Sequence, residues 1–159
     1  MLLGIDLGGT KIEGIVLKSR ENPEEVIRHR VNTEEEKGYS QVISNIKSLV
    51  DYIESNINHK FSKLGIGTPG TIDPESGLLK NSNSQCLNGM PIQKDLSKVL
   101  NKSILIQNDA NCFALAETLL GSVKDKHPNA KNVFGIIMGT GVGGGIIIDG
   151  KRVYGNQGI

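Results

Sequence analysis

Apolar residues along this chain come first in short runs and then at helical spacing. Residues 2–5 and 12–17 are brief apolar stretches separated by Gly8-Gly9-Thr10, which predicts a β-hairpin. A third strand is expected over 25–31, after the polar turn at Asn22-Pro23. From Tyr39 to Ile57 the residues Val42, Ile43, Ile46, Leu49, Val50, Ile53 and Ile57 recur every three or four positions, the period of a one-sided helix. A short strand at 64–67 runs into Thr68-Pro69-Gly70, and 71–88 reads as a polar loop. A second helix is predicted over 91–100, opened by a proline. Another strand at 103–106 hands over through Asn108-Asp109 to a helix ending near 120. Strands at 133–138, 145–148 and 151–154, split by glycine-rich turns, complete the pattern.

Three meandering strands followed by strands alternating with helices is the order of a ribonuclease-H-like α/β layer. The expected organisation is an N-terminal domain over 1–122, a polar linker over 123–131, and the opening of a second domain over 132–159.

Charge changes little in this picture. Eighteen Lys and Arg face seventeen Asp and Glu, a formal net charge of +1. Such a balance gives no electrostatic reason to expect nucleic acid or a membrane surface as partner. No apolar run is long enough to cross a bilayer, and the start of the chain lacks the pattern of a secretion signal. Cys86 and Cys112 have neither metal-ligand spacing nor the density of a disulfide framework. These features predict a cytoplasmic protein.

Glycine is more informative. The chain has 20, against only 4% aromatic residues. In Asp6-Leu7-Gly8-Gly9-Thr10-Lys11, a glycine hairpin tip can bring backbone N–H groups against a phosphate, with Thr10 and Lys11 adding a hydroxyl and a cation. Asp6 at the strand end is placed to hold hydrated Mg²⁺. The spacing is not that of a Walker A loop, and an ordinary Gly-Gly hairpin explains the same residues. Gly139-Thr140-Gly141-Val142-Gly143-Gly144-Gly145 has more glycines than one turn requires, which favours a second anion-binding loop over a simple turn. Asp109 can be the N-cap of the following helix or a carboxylate facing a substrate crevice at a strand's C-terminal edge. In the second role it takes the proton of a sugar hydroxyl as a phosphoryl group is transferred. Asn81-Ser82-Asn83-Ser84 suits a polyol, and equally a solvated loop.

Together, the stretches Gly4 to Lys11, Gly67-Thr68-Pro69-Gly70, Asn108 to Glu117 and Gly139 to Gly145 resemble the ROK sugar kinases, of the actin-like ATPase fold. The resemblance runs in order from Leu3 to the end of the chain. It implies that Asp109 is the catalytic base and that Asn83, Ser84, Asn108 and Gly70 contact the sugar. It assigns Gly8, Gly9, Thr10 and Lys11 to a first phosphate loop and Gly139, Thr140 and Gly141 to a second, with Asp6 beside Mg²⁺ through water. ATP and Mg²⁺ are the implied cofactors, and a hexose (fructose, mannose, glucose or N-acetylglucosamine, at O6) is the implied acceptor. The loop from Asn81 through Leu87-Asn88-Gly89 most resembles manno(fructo)kinases, although Cys86 stands where their pattern has Trp. A structural Zn²⁺ and the adenine pocket are expected only beyond residue 159. The chain alone is accordingly expected to be inactive, and the full-length protein to be a homodimer. A sugar-sensing domain of a ROK repressor is the alternative, disfavoured by the intact 6–11 and Asp109 motifs.

Overall fold

Alternating burial along the first strands sets the architecture, and the computed structural model describes residues 1–139 and 141–155. Strands β1 (Leu2–Leu7), β2 (Lys11–Leu17) and β3 (Glu25–Asn32) form an antiparallel meander. Helix α1 (Tyr39–Ile57) leads into β4 (Lys63–Thr68), then the two-residue strands β5 (Thr71–Ile72) and β6 (Leu79–Lys80). Helix α2 (Ile92–Leu100), strand β7 (Ser103–Asn108), helix α3 (Asp109–Leu119) and the short helix α4 (Ser122–Lys126) follow. Strands β8 (Asn132–Met138), β9 (Val142–Ile148) and β10 (Lys151–Arg152) end the described chain. The main sheet has the order β3-β2-β1-β4-β7, with β1, β4 and β7 parallel. This is the ribonuclease-H-like α/β layer expected from the sequence.

Side chains on a strand alternate between faces, and here each face meets a different partner. Leu3, Ile5 and Leu7 of β1 and Leu64 and Ile66 of β4 point to one face. There they bury against Ile46, Leu49, Val50 and Ile53 of α1 and Leu96 of α2 in a single core. The opposite face, bearing Gly65 and Gly67, receives α3, whose Cys112 lies against Gly67. Helix α3 is covered on both sides, because β8 and β9 pack on it as well. The contact is close: a Cβ on Gly135 would lie 2.8 Å from the Ala114 Cβ, and one on Gly145 would lie 2.9 Å from the Asn111 Cα.

Three expectations are modified. Gly143, Gly144 and Gly145 lie inside β9, paired with Ile137, Ile136 and Gly135, so the second glycine turn is confined to the residues between β8 and β9. Their lack of side chains serves the approach of α3 and of the Phe134 ring as well as any ligand. The stretch read as a linker begins with helix α4. The polar loop 71–88 contains the β5–β6 hairpin, which folds Lys80 back beside Thr71. Strands β10, β9 and β8 form a second, antiparallel sheet, whose far face is apolar, with Phe134 63% and Met138 82% exposed.

Behind α1 the carboxylate of Glu54, 2% exposed, accepts hydrogen bonds from the Phe61 N–H at 2.8 Å and the Lys102 ammonium at 2.8 Å, and Lys60 lies at 2.9 Å. Lys102 also donates to the Phe61 carbonyl. Burial raises the Glu54 pKa, but the two lysines and the N–H outweigh it and hold the group below its ordinary value. The cluster ties the end of α1 to the turn between α2 and β7. Its stabilisation is complete above the ordinary value of 4.5 and is lost as pH falls through the lower folded value. Glu54→Ala leaves Lys102 buried without its carboxylate and is expected to cost roughly 3 kcal/mol at pH 7. Urea unfolding at pH 7 and pH 3 checks both statements, since the penalty should shrink in acid.

Candidate active site

The parallel register brings three chain ends to one edge of the sheet. Asp6 of β1 lies beside Gly67 of β4, and Thr68 lies beside Asn108 of β7. Beyond these positions each strand opens into a loop, and the loops face one another at the carboxyl edge, where ligands of open α/β sheets bind.

The first loop is Gly8 to Thr10. It is closed by the Gly8 N–H donating to the Lys11 carbonyl at 3.0 Å. Fully buried Thr33 clamps it from the end of β3: the Thr33 hydroxyl donates to the Gly8 carbonyl at 2.6 Å and its N–H to the Thr10 carbonyl at 3.0 Å. The second loop turns at Gly70, whose φ of +82° and position against Lys80 and Ser82 leave no room for a side chain. It returns through β6 to Asn81–Ser84. There Asn88 holds both polar backbone atoms of Ser82, accepting from its N–H and donating to its carbonyl at 2.9 Å each. Leu87 is buried beneath.

The third loop is the junction of β7 and α3, where the capping role falls to Asn108. Its side-chain oxygen accepts from the Asn111 N–H at 3.2 Å, and its amide donates to the Gly70 carbonyl at 3.1 Å. Asp109 is therefore not the cap. Its Oδ1 accepts from the Ala110 N–H at 2.8 Å, and its other oxygen has no hydrogen-bond partner among the described residues.

These loops enclose a cleft of about 480 Å³. Gly8, Gly9 and Thr10 form one wall, Gly70, Asn83 and Ser84 a second, and Asn108 and Asp109 a third. The second sheet closes it with Gly139 and Gly141, and Asn83 reaches to Gly141 across the gap. Thr140 lies outside the described residues. Lys11 does not line the cleft; it is exposed at the start of β2, paired with Asn32. Asp6 also stands outside the lining, on the face that receives α3. Its side chain keeps much of its solvent exposure, yet partial desolvation beside that face raises its pKa, and the negative charges of Asp109 and Glu13 raise it further, offset in part by Arg30. Cys86 lies outside the lining, and burial followed by the charge of Glu35 pushes its thiol up. Glu35 does line the cleft. Within the run Glu34-Glu35-Glu36 it reads as one of three solvated acids, so nothing in the sequence marks it.

A five-stranded sheet of this order, with glycine-rich loops facing a second sheet across a cleft, is the arrangement of the actin-like ATPase fold. Residues 2–159 match the model of the ROK family, and the chain belongs to that family. It is 40% identical over 155 residues to an N-acetyl-D-glucosamine kinase of Aliivibrio fischeri, covering 98% of this chain and 48% of that protein. The ROK hexokinase of Thermus thermophilus superposes with a TM-score of 0.81 at 28% identity, over 99% of this chain and 50% of that one. A ROK glucokinase of Streptomyces griseus, solved with glucose and AMPPNP, superposes with the same TM-score at 25% identity over 99% of this chain and 47% of its own. The chain thus spans about half the length of the curated relatives it matches.

Because Asp6 has a raised pKa, its ionised form is disfavoured in the folded chain. Above the ordinary value of 3.8 it subtracts from stability, and below that value it has no effect. Asp6→Asn is therefore expected to melt higher than the parent at pH 7, with the gap closing below about pH 4. Calorimetry across that range, without added divalent cation, tests the sign.

Proposed function

We propose that this chain supplies the phosphate loops, the base and part of the acceptor site of an ATP-dependent hexose kinase. The observation that carries the reading is Asp109: a half-buried carboxylate in the cleft, relieved of the capping task by Asn108 and left with one oxygen unpartnered among the described residues. A sugar hydroxyl is a weak nucleophile, and a carboxylate within hydrogen-bond reach can take its proton as the phosphoryl group arrives. Gly70, Asn83, Ser84 and Asn108 orient the acceptor over Asp109. Of these, Asn108 has a side chain already engaged by Gly70 and α3, so it is held rigidly. The N–H groups of Gly9 and Thr10, with the Thr10 hydroxyl, take one side of the transferred phosphates, and the turn at Gly139 and Gly141 takes the other.

The carboxylates of Asp6 and Asp109 repel each other, and a divalent cation beside them relieves that repulsion. Among the described residues no group of three His, Cys, Asp or Glu could hold a metal. Mg²⁺ at Asp6 would therefore complete its shell with water and phosphate oxygens, the usual habit of this ion. Bound MgATP supplies the transferable phosphoryl group. Its adenine side has no counterpart in the cleft described.

The relatives make N-acetylglucosamine the first acceptor to assay, and the 81–89 loop adds fructose and mannose. Asp109→Asn is the decisive variant, made in a protein that joins this chain to the second half its relatives possess. Turnover in a coupled assay should fall by about 10²–10⁴-fold while sugar affinity stays within a few-fold. Unchanged turnover would remove Asp109 from the chemistry.

A further inference from the structure

We infer that Glu35 is a specificity-determining residue of the acceptor site, its carboxylate accepting a hydrogen bond from a hydroxyl or amine of the bound sugar. The inference rests on the hexose-kinase reading. Glu35 opens a single 3₁₀ turn (Glu35–Lys37) between β3 and α1, and the turn is fixed to the cleft rather than free above it. Thr33 binds the Gly8–Thr10 loop, the Asn45 amide donates to the carbonyls of Asn32 and Thr33, and the Gly38 N–H donates back to the Glu35 carbonyl at 3.0 Å. These bonds deliver the Glu35 side chain to the corner between Gly9 and Ser84. A Cβ on Gly9 would lie 3.5 Å from Ser84 Oγ and 3.8 Å from Glu35 Oε2.

Glu35 Oε2 is buried and has no hydrogen-bond partner among the described residues. A buried acceptor left unsatisfied is costly, the more so when charged. Its environment also tells which ligand group fits. A carboxylate repels phosphate, so it does not belong to the nucleotide side. Ser84 and Asn83 place it beside the groups suited to a polyol, where a donor from the acceptor can reach it. Gly9 keeps the corner open: adding a methyl there meets only ordinary contacts, so packing alone does not demand glycine.

The test is titration calorimetry on the protein that joins this chain to the part of its relatives' length it does not span, with N-acetylglucosamine, fructose, mannose, glucose, glucosamine and the monodeoxy glucoses. Glu35→Ala should weaken binding of the preferred sugar by about ten- to a hundredfold, the range for hydrogen bonds to charged groups. Glu35→Gln, which keeps an acceptor oxygen, should lose less. One deoxy analogue that binds poorly to the parent should lose its handicap against Glu35→Ala, which identifies the hydroxyl concerned; a preference for glucosamine that vanishes in both variants would identify an amine instead. Both variants should melt at or above the parent temperature, because no internal partner is lost. Sugar affinities within twofold of the parent, or losses that merely follow a lower melting point, would overturn the inference. If the joined parent protein binds no sugar, the kinase reading fails and takes this one with it; binding indifferent to Glu35 sinks this one alone.

Discussion

Everything at the cleft depends on the in-register parallel pairing of β1, β4 and β7. Parallel strands end together, so the residues that follow them are neighbours whatever their separation in sequence. Asp6, Gly70 and Asp109 are dozens of residues apart along the chain and meet because Asp6 aligns with Gly67, and Thr68 with Asn108. A one-residue slip in either pairing would turn the alternating pattern over, sending Leu64 and Ile66 toward α3 and the glycines toward the core. The apolar mass of α1 and α2 on one face is what makes that slip prohibitive. The hydrophobic core and the geometry of the site are consequences of the same register.

The loops are then fixed by a small number of polar clasps. Thr33 holds the first glycine loop, Asn88 the second loop, and Asn108 joins the second to the third through the Gly70 carbonyl. Each clasp uses a side chain to satisfy backbone groups that no strand or helix could reach. The acids left over are few. Asp6, Asp109 and Glu35 lie in the same region; the charge of Asp109 helps to raise the pKa of Asp6, and Glu35 Oε2 has no hydrogen-bond partner among the described residues.

Periodicity made most of the fold legible. Residues 39–57 declare α1 by seven apolar positions at helical spacing, and the hairpin β1–β2 is announced by Gly8-Gly9 between two apolar runs. Glycine was harder to interpret, because one residue type serves two ends. Gly139 and Gly141 turn the chain, whereas Gly143 and Gly145 lie in a strand and make room for a helix that only the tertiary fold brings near. The two roles open to Asp109 are separable only in the fold: Asn and Asp both cap well, and the choice of Asn108 as cap accompanies its second bond to Gly70. Glu35 had no signal at all. Its surroundings come from Gly9 and Ser84, far away in sequence, and its acidic neighbours disguise it.

The seam between α3 and the second sheet is made of the smallest residues available: Ala110 and Ala114 against Gly135, Gly143 and Gly145. It therefore acts as a spacer that sets how far apart the two walls of the cleft stand. Width at the mouth is governed largely by residues behind the cleft wall, of which only Gly143 also lines the cleft. Enlarging any of these residues would wedge the second sheet outward and carry Gly139 and Gly141 away from Asn83. The width of the cleft in this chain is thus written partly into the helix–sheet spacing, where a single methyl group is the unit of adjustment.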